Sequence, residues 1–218
     1  MVLSQAVEDY LKAIYTLQTE ETGASTTKIA KSLEVSSASA TNMVKRLDQM
    51  GLVDYQSYKG ARLTESGQKI ALEIIRHHRL LELYLLEVMG YSWDEVHDEA
   101  EKLEHHISEQ FEDKIAQLLD DPTHDPHGDP IPTKDGLMPE IEGQPLVDGQ
   151  PDQQYMVSRV KDQDPELLRY LEKIGLLPGI KVTIKEKAPF EGPITLLVEN
   201  DEQVVGNDVA KNIFVAEL

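Results

Sequence analysis

Residues 26–51 have the sequence TTKIAKSLEVSSASATNMVKRLDQMG, and this stretch decides the fold of the N-terminal part of the chain. Thr26 or Thr27 can cap a short first helix. After a tight turn, Ser36 can cap a longer helix, which Gly51 ends because glycine readily adopts the left-handed conformation found at helix C-termini. A short helix, a turn and a longer helix are typical of a helix-turn-helix.

The segments on either side extend this motif to a winged helix. Apolar residues before it recur every three or four positions, which predicts an amphipathic first helix containing Val7, Tyr10, Leu11, Ile14 and Leu17. Residues 52–64 after it are typical of a two-stranded hairpin with Gly60 at its tip. We therefore predict that the longer helix of the motif enters the major groove of DNA and that the hairpin is the wing.

The polar side of the longer helix and the hairpin would contact DNA. Small hydroxyl side chains and asparagine suit close approach to base edges and phosphates, and basic side chains suit the phosphate backbone. The predicted DNA-contacting residues are Thr27, Ser36, Ser37, Ser39, Thr41, Asn42, Lys45, Arg46, Tyr58, Lys59 and Arg62. Two alternatives stay open: the winged helix could bind a protein, and Lys45 and Arg46 could be ordinary solvated residues.

The distribution of charge favours DNA binding by the N-terminal part alone. The chain has 218 residues and a formal net charge of −19. Residues 1–76 contain nine Lys or Arg and nine Asp or Glu, so the rest of the chain carries the entire excess of acids. Binding to phosphates requires basic side chains, so only the neutral head is suited to a polyanion. The acidic remainder could serve solubility alone.

Residues 92–118 predict one long amphipathic helix, which the capping box Ser92-Trp-Asp-Glu95 would start. An apolar residue recurs at every third or fourth position along it. Residues three and four apart share a helix face, so two carboxylates and an imidazole would lie side by side. Such side chains can bind a divalent metal ion, and the candidate ligands are Glu101, Glu104 and His105.

A preceding apolar pattern, residues 74–86, predicts a second helix on which His78 and Glu82 are one turn apart. Two neighbouring helices would then both offer His and Glu ligands. The chain contains no cysteine, which leaves only oxygen and imidazole donors for a metal ion. The alternative is a solvated acidic flank that binds no ion.

Composition also bears on location and on the number of domains. No apolar run approaches the length of a membrane span, and the N-terminus lacks the basic region of a signal peptide. We therefore expect a cytoplasmic protein. A chain of 218 residues with mixed apolar and charged composition is long enough for two or three small domains.

The C-terminal third predicts a small domain rich in β-strands. Residues 119–154 are rich in Pro, Gly and acidic residues and predict an extended, partly mobile linker. The elements predicted after it are a strand at 156–160, a helix at 165–174, and strands at 181–187, 194–198 and 214–216. A partly closed β barrel would bury so many short strands. The barrel contains no obvious catalytic constellation.

The predicted order is a winged helix, two ligand-bearing helices, a Pro-rich linker and a small barrel. This order resembles that of the DtxR/MntR family of metal-dependent transcriptional repressors, also called iron-dependent repressors. The resemblance covers essentially the whole chain. The segments that carry it are Glu8-Asp-Tyr-Leu-Lys-Ala-Ile-Tyr15, His78-Arg-Leu-Leu-Glu82, Val96-His-Asp-Glu-Ala100, Glu104-His105, Pro126-His-Gly-Asp-Pro-Ile-Pro132 and Gly175-Leu-Leu-Pro-Gly179.

The resemblance implies a mainly α fold with a small β part. It comprises an N-terminal winged helix-turn-helix, a helical dimerisation domain and a C-terminal SH3-like, FeoA-like β barrel. The expected division is a DNA-binding domain at 1–73, a helical metal-binding and dimerisation domain at 74–140, a linker at 141–154 and the SH3-like domain at 155–218.

The resemblance also implies two metal sites. The primary regulatory site would comprise Asp9, Glu101, Glu104 and His105. The ancillary site would comprise His78, Glu82 and His97, with Asp164, Asp125 and His127 as further ligands. Iron-sensing members have Met and Cys where this chain has Asp9 and Glu101, and these two residues instead match the manganese-sensing branch. Lys12 stands where well-known manganese sensors have a second carboxylate.

The implied function is a Mn²⁺-responsive repressor of metal-uptake genes that binds a palindromic operator as a homodimer, with no membrane partner and no catalytic activity. Fe²⁺ is the alternative ion. The same residues would also suit a winged-helix regulator that needs no metal, or a carboxylate-bridged metalloenzyme, because Glu-x-x-Glu-His and His-x-x-x-Glu on packed helices are also found in di-iron bundles.

Overall fold

The computed structural model describes residues 3–20, 24–141, 143–161 and 163–218. These residues form two compact units. The first unit contains the chain up to His78, Glu104–Ile107 and Pro132–Met138, and the second contains Arg79–Leu103, Ser108–Ile131 and the chain from Pro139 onward. Both units are therefore discontinuous in sequence.

The first unit is a winged helix, as predicted. Its elements are α1 (Gln5–Glu20), α2 (Thr26–Ser32), α3 (Ser37–Gln49), β1 (Val53–Gln56), β2 (Gly60–Leu63) and the larger part of α4 (Glu65–Tyr84). The two strands pair antiparallel, from Val53 opposite Leu63 to Gln56 opposite Gly60. The helices α2 and α3 form the helix-turn-helix, and the hairpin forms the wing.

Side-chain caps explain where α2 and α3 begin. The hydroxyl of Ser36 accepts a hydrogen bond from the backbone N–H three residues on (3.1 Å), and Gly51 follows the helix with a φ of 71°. The cap predicted for α2 is wrong. Ser25 is the cap, because its backbone is extended and its hydroxyl accepts a backbone N–H (3.2 Å), whereas Thr26 and Thr27 are already helical.

The core of the first unit uses the apolar positions that the helical period predicts. Its buried members include Val7, Leu11, Ile14, Ile29, Ala40, Val44, Leu47 and Val53. Along α3, Ala40, Val44 and Leu47 face this core. The opposite side of α3, which carries the polar residues, is consequently turned to solvent.

The helical part of the second unit differs from the prediction of one helix at residues 92–118. After a π-helical turn at Leu85–Met89, the chain forms α5 (Val96–Leu103) and α6 (Glu109–Leu118). The helix breaks because the hydroxyl of Ser108 accepts the N–H of Phe111 (3.3 Å) and so caps a new helix. Glu104 and His105 therefore lie in the turn between α5 and α6, not on a common helix with Glu101.

The capping box before α5 forms only in part. The hydroxyl of Ser92 donates to a carboxylate oxygen of Glu95 at 2.7 Å, but residues 93–95 form a turn and the helix starts after them. The backbone N–H of Ser92 lies 3.5 Å from the same carboxylate oxygen, and the first helical residue lies three positions later than predicted.

The remainder of the second unit is built on a six-stranded antiparallel sheet. The strands are β3 (Gln144–Pro145), β4 (Gln154–Val160), β5 (Lys181–Lys187), β6 (Ile194–Val198), β7 (Asp201–Val205) and β8 (Ile213–Glu217), and the helices are α7 (Pro165–Lys173) and α8 (Asn207–Ala210). The strand order is β3-β8-β4-β5-β6-β7, with irregular register in β4 and β5. Bulges of this kind curve a sheet toward a partly closed barrel.

Two strands escaped the sequence prediction. The strand β3 has only two residues, and β7 is an edge strand that begins Asp-Glu-Gln. Acidic residues have low strand propensity and are typical of edges, where they oppose pairing with other chains. The predicted strands at 156–160, 181–187, 194–198 and 214–216 are confirmed.

The prediction of an extended linker is wrong for residues 125–131, where Asp125, His127, Asp129 and Ile131 are buried. One carboxylate oxygen of Asp125 accepts the backbone N–H groups of His127 (2.8 Å) and Asp129 (2.9 Å), which folds the segment into a compact turn. The division of the chain at residues 73, 140 and 154 stays a prediction. In the described part of the chain, no helix is long and apolar enough to cross a bilayer.

Candidate metal sites and DNA-binding surface

The first unit brings together three of the predicted primary ligands, Asp9, Glu104 and His105, which we call the Asp9 cluster. Each offers one ligand atom, and these atoms lie within 4.8 Å of one another. The Nε2 atom of His105 is 2.8 Å from Oδ1 of Asp9 and 3.3 Å from Oε1 of Glu104. The helix α1 supplies Asp9, and the turn after α5 supplies the other two. The break in the predicted long helix is thus what allows Glu104 and His105 to meet Asp9.

Glu8 holds the ring of His105 in the Asp9 cluster, a role that the sequence analysis missed. An oxygen of Glu8 lies 2.7 Å from Nδ1 of His105 and accepts its hydrogen. The other ring nitrogen, Nε2, then faces Asp9 and Glu104. A carboxylate that orients a ligating histidine in this way is common around metal sites. The one feature of the sequence that pointed to this role is that Glu8 directly precedes Asp9.

A divalent cation fits the Asp9 cluster. The Nε2 atom of His105 is buried and makes no hydrogen bond of acceptable geometry, although it faces two carboxylate oxygens. A buried polar atom without such a bond is unusual and calls for an ion or a water. Carboxylate oxygens and one imidazole nitrogen are donors that Mn²⁺ and Fe²⁺ accept.

Glu104 is fully buried and is already bonded on both oxygens. The ammonium of Lys12 donates to Oε1 at 2.9 Å and to Oε2 at 2.8 Å, and Nδ1 of His78 donates to Oε2 at 2.5 Å. Burial raises the pKa of Glu104, but the hydrogen bond from His78 and the charge of Lys12 outweigh it and hold the pKa below its usual range. The lowered pKa favours the ionised form of this buried carboxylate.

The second unit contains another buried group, Glu82, Asp125 and His127, which we call the Glu82 cluster. Its ligand atoms also lie within 4.8 Å of one another. The Nδ1 atom of His127 is 3.9 Å from one oxygen of Glu82, and Nδ1 of His97 is 3.1 Å from the other. Three other predicted ancillary ligands of the second unit, His97, Asp125 and His127, are thus gathered around the carboxylate of Glu82.

Burial has opposite effects on two members of the Glu82 cluster. It raises the pKa of Asp125 well above its usual range, with help from the nearby carboxylates of Glu82 and Asp129. It lowers the pKa of His127, which favours the neutral imidazole that binds metals. The Oδ2 atom of Asp125 is buried and lacks a hydrogen bond, so this donor set also fits a divalent cation.

Neighbouring side chains fix the Glu82 cluster in place. The ring of Trp93 stacks on that of His127 at a centroid distance of 5.4 Å, and Nε2 of His127 donates to the Trp93 carbonyl at 3.3 Å. Asp129 accepts a hydrogen bond from Arg159 at 3.0 Å and lies 3.5 Å from Arg79. These partners could not be predicted from the sequence, because contacts between residues far apart in the chain leave no periodic signal.

Three predicted ligands are not members of the Asp9 cluster or the Glu82 cluster as defined above. Glu101 is a partly buried residue of α5 in the second unit, with one oxygen 4.0 Å from Nε2 of His97. His78 belongs to the first unit and bonds Glu104. Asp164 is exposed and caps α7 by accepting two backbone N–H groups at 2.8 and 3.2 Å. Within the described ranges, Asp164 is not part of a ligand cluster.

The first unit presents most of the predicted DNA-contacting residues to solvent. The exposed ones are Thr27, Ser36, Ser37, Ser39, Asn42, Lys45, Arg46, Tyr58, Lys59 and Arg62. Three of the predicted residues have side-chain bonds at the start of α3. Ser36 caps the helix and its hydroxyl lies 2.9 Å from that of Ser39, and the hydroxyl of Thr41 donates to the Ser37 carbonyl at 2.8 Å. Tyr58 is fully exposed at the tip of the wing. The remaining side chains leave a polar, basic surface on α3 and the wing.

Three family models match consecutive parts of the chain. Residues 2–61 match the N-terminal DNA binding domain of iron dependent repressors, residues 64–133 match their metal binding and dimerisation domain, and residues 144–217 match the FeoA domain. The matched ranges together cover nearly the whole chain in the order expected from the sequence.

Individual proteins are similar over comparable lengths. The iron-dependent repressor IdeR of Mycobacterium tuberculosis is 32% identical over 215 residues, which cover 93% of this chain and 92% of the relative. The regulator MntR of Oceanobacillus iheyensis is 37% identical over 114 residues, which cover 52% of this chain and 77% of the relative. A solved structure described as a manganese-dependent transcriptional repressor in complex with manganese is 37% identical with a TM-score of 0.87, covering 97% of this chain and 100% of that one.

Proposed function

The chain belongs to the DtxR/MntR family of metal-dependent transcriptional repressors, and we propose that Mn²⁺ is the ion to which it responds. The observation that carries this proposal is the Asp9 cluster, in which a buried imidazole nitrogen faces two carboxylate oxygens. Hard oxygen donors with one imidazole suit Mn²⁺, and a chain without cysteine has no thiolate to favour softer metals.

We propose Asp9, Glu104 and His105 as ligands of the primary site, with Glu101 added by the family resemblance. A bound ion would supply the positive charge that lets converging carboxylates stay together. The chain's own residues do the rest: Glu8 orients His105, and the ionised Glu104 presents its oxygens within the same unit as α1. The position of α1, and with it the winged helix, would thus depend on the occupancy of the site.

The proposed effect on DNA binding is a shift of population. Members of this family dimerise, and a homodimer can place two α3 helices in successive major grooves of a palindromic operator. An ion that binds the DNA-competent arrangement better than other arrangements raises the population of that arrangement. The size of the shift is limited by the difference between the ion's affinities for the competent and the other arrangements. We expect this to take place in the cytoplasm and to repress genes of metal uptake.

We propose the Glu82 cluster as an ancillary site, with His97 as a further ligand. Glu82, Asp125 and His127 are buried together in the second unit, and His97 lies 3.1 Å from Glu82. Metal binding requires the deprotonated carboxylate of Asp125, whose pKa is raised by burial, so affinity at this site should increase with pH. His78 and Asp164 are added here from the family resemblance.

The DNA-contacting surface that we propose is the exposed side of α3 with the wing. Asn42 can hydrogen-bond a base edge, whereas Lys45, Arg46, Lys59 and Arg62 can neutralise phosphates. Tyr58, at the wing tip, can reach the sugar-phosphate backbone. The carboxylate-bridged metalloenzyme is not proposed, because the Glu-x-x-Glu-His pattern does not lie on one helix and the family consists of repressors.

Fe²⁺ is the second candidate ion, since a relative of nearly equal length is an iron-dependent repressor. DNA binding should be titrated anaerobically with Mn²⁺ and with Fe²⁺, on duplexes selected from a random pool. For each ion, the free concentration at half-maximal DNA binding is divided by the free concentration of that ion in cells. We expect this ratio to be lower for Mn²⁺ than for Fe²⁺. Activation by Fe²⁺ alone would assign the chain to iron sensing, and DNA binding that needs neither ion would refute both.

A further inference from the structure

Lys12 lies against the same carboxylate that the proposed primary site uses. Its ammonium is within 2.9 Å of Oε1 and 2.8 Å of Oε2 of Glu104, and it is 3.4 Å from Nδ1 of His78. The side chain of Lys12 is only 19% exposed and that of Glu104 is fully buried. This is a largely buried ion pair between α1 and the turn after α5, both within the first unit.

The Lys12 ammonium and a metal ion would compete for Glu104. The Oε1 atom of Glu104 that faces His105 Nε2 at 3.3 Å is also the atom that accepts from Lys12 at 2.9 Å. Two cations held by one buried carboxylate repel each other, and the repulsion is strong where water is scarce. An ion bound by the Asp9 cluster therefore weakens or breaks the bond between Lys12 and Glu104.

We propose that Lys12 is an internal cation that occupies Glu104 in the metal-free protein and must be displaced when the ion binds. This inference rests on the proposed function, because it concerns the regulation of the same site. Lys12 thereby sets the metal concentration at which the protein responds. A chain with a neutral residue at this position responds at a lower concentration.

The direction of the effect follows from the stability of the metal-free state. A fully buried carboxylate that loses its partner becomes an uncompensated charge, which is strongly unfavourable. Without Lys12, the metal-free form is destabilised. Binding of the ion restores a positive charge beside Glu104 and recovers that free energy, so the ion binds more tightly. If Lys12 only held Glu104 in place for the metal, the change in metal affinity would have the opposite sign, because removal of Lys12 would then weaken metal binding.

The test measures Mn²⁺ affinity of the full chain by the EPR signal of free Mn²⁺. Lys12→Gln removes the charge, Lys12→Arg keeps it, and Lys69→Gln removes an exposed lysine that pairs with Glu65 at 3.0 Å. We expect Lys12→Gln to bind Mn²⁺ about tenfold tighter, equivalent to about 1.4 kcal/mol, and the other two to stay within about twofold of the unmodified chain. Equal or weaker binding by Lys12→Gln overturns the proposal.

A measurement on the unmodified protein serves where Lys12→Gln does not fold. The rate at which an amine-reactive reagent labels Lys12, followed by mass spectrometry, rises when Mn²⁺ releases the ammonium from Glu104, while labelling of Lys69 stays constant. An unchanged or slower rate at Lys12 overturns the proposal.

Asp9→Ala separates this inference from the proposed function. Loss of one bound Mn²⁺ ion in Asp9→Ala, with Mn²⁺ binding unchanged in Lys12→Gln, refutes the role of Lys12 and leaves the site standing. Mn²⁺ binding that Asp9→Ala retains in full places the ion elsewhere, and both proposals then fall.

Discussion

Glu8 and His105 are 97 positions apart in sequence, yet an oxygen of Glu8 lies 2.7 Å from Nδ1 of His105. This contact decides which ring nitrogen faces the Asp9 cluster, because a hydrogen on Nδ1 leaves Nε2 for Asp9 and Glu104. The helix α1 thus contributes twice to the candidate primary site, with one carboxylate that would bind the ion and one that orients another ligand.

Glu8→Ala should weaken Mn²⁺ binding by about 10- to 100-fold, the usual effect of losing a group that orients a ligating histidine. Glu8→Gln should recover part of the loss, since its carbonyl oxygen can still accept from Nδ1. Isothermal titration calorimetry of both variants, with Glu65→Gln as an exposed control, would measure this. Full affinity in Glu8→Ala would show that the ring is oriented by other contacts.

The lowered pKa of His127 should contribute to the pH dependence of the free energy of unfolding. Its pKa is lowered from 6.5 because burial disfavours the charged form. The unfolded chain then binds more protons, so this contribution to the unfolding free energy is complete above about pH 6.5 and is lost as the pH falls through the folded-state pKa. Urea unfolding at about pH 7 and about pH 5 should show a larger loss for the unmodified chain than for His127→Gln.

Asp125 opposes His127 in that experiment. Its pKa is raised by burial and by nearby carboxylates, so its contribution is present at low pH and is lost as the pH rises through the folded-state pKa. Comparison of the unmodified chain with His127→Gln is therefore more informative than the total pH dependence. Equal losses in the two proteins would mean that His127 titrates alike in the folded and unfolded states.

Gly128→Ala should be among the most destabilising changes in the second unit. A Cβ at this position would lie 2.0 Å from the carbonyl oxygen of Ser158 in β4, and the φ of 86° is unfavourable for alanine. We expect a loss of about 3 kcal/mol or more in the free energy of unfolding.

Gly51→Ala is the matched control for this glycine. Its φ is 71°, but a Cβ would meet nothing within 4 Å, so only the conformational cost of about 1 kcal/mol applies. Denaturant unfolding of both variants measures the difference. Similar losses in the two would indicate that the turn at residues 125–131 can move away from β4.

Substitutions on α3 should separate affinity from specificity. Lys45→Ala and Arg46→Ala should each weaken binding to all duplexes and lower the slope of log affinity against log salt by about one. Asn42→Ala should instead relax the preference for one base pair, by about 1 to 3 kcal/mol. Fluorescence anisotropy on matched and altered duplexes over a range of salt tests this. Equal effects of Asn42→Ala on all duplexes would argue against base contact by Asn42.

The winged helix was predictable because its signals are local. The Ser36 cap, the period of Ala40, Val44 and Leu47, and Gly51 all lie within one short stretch. Of the proposed primary ligands, Glu104 and His105 were suggested by their spacing and Asp9 by the family resemblance. The helix expected to carry Glu104 and His105 ends at Leu103, and a new one is capped by Ser108.

The contacts that tune the sites could not be predicted in this way. Lys12 meets Glu104 across 92 positions, and Arg159 meets Asp129 across 30. Such pairs depend on the tertiary fold and obey no helical or strand period. The buried turn at residues 125–131 was hidden for a related reason, since its polar composition is that of a linker while its backbone is held by Asp125.

The most direct test of the central claim is a titration of operator binding with Mn²⁺ in the unmodified chain and in Asp9→Ala, at fixed protein concentration and salt. We expect Mn²⁺ to increase the affinity of the unmodified chain for the selected duplex by at least about 100-fold, a coupling of about 2.7 kcal/mol, and to leave Asp9→Ala at its metal-free level. Equal operator affinity with and without Mn²⁺ in the unmodified chain, or an unchanged response in Asp9→Ala, would contradict it.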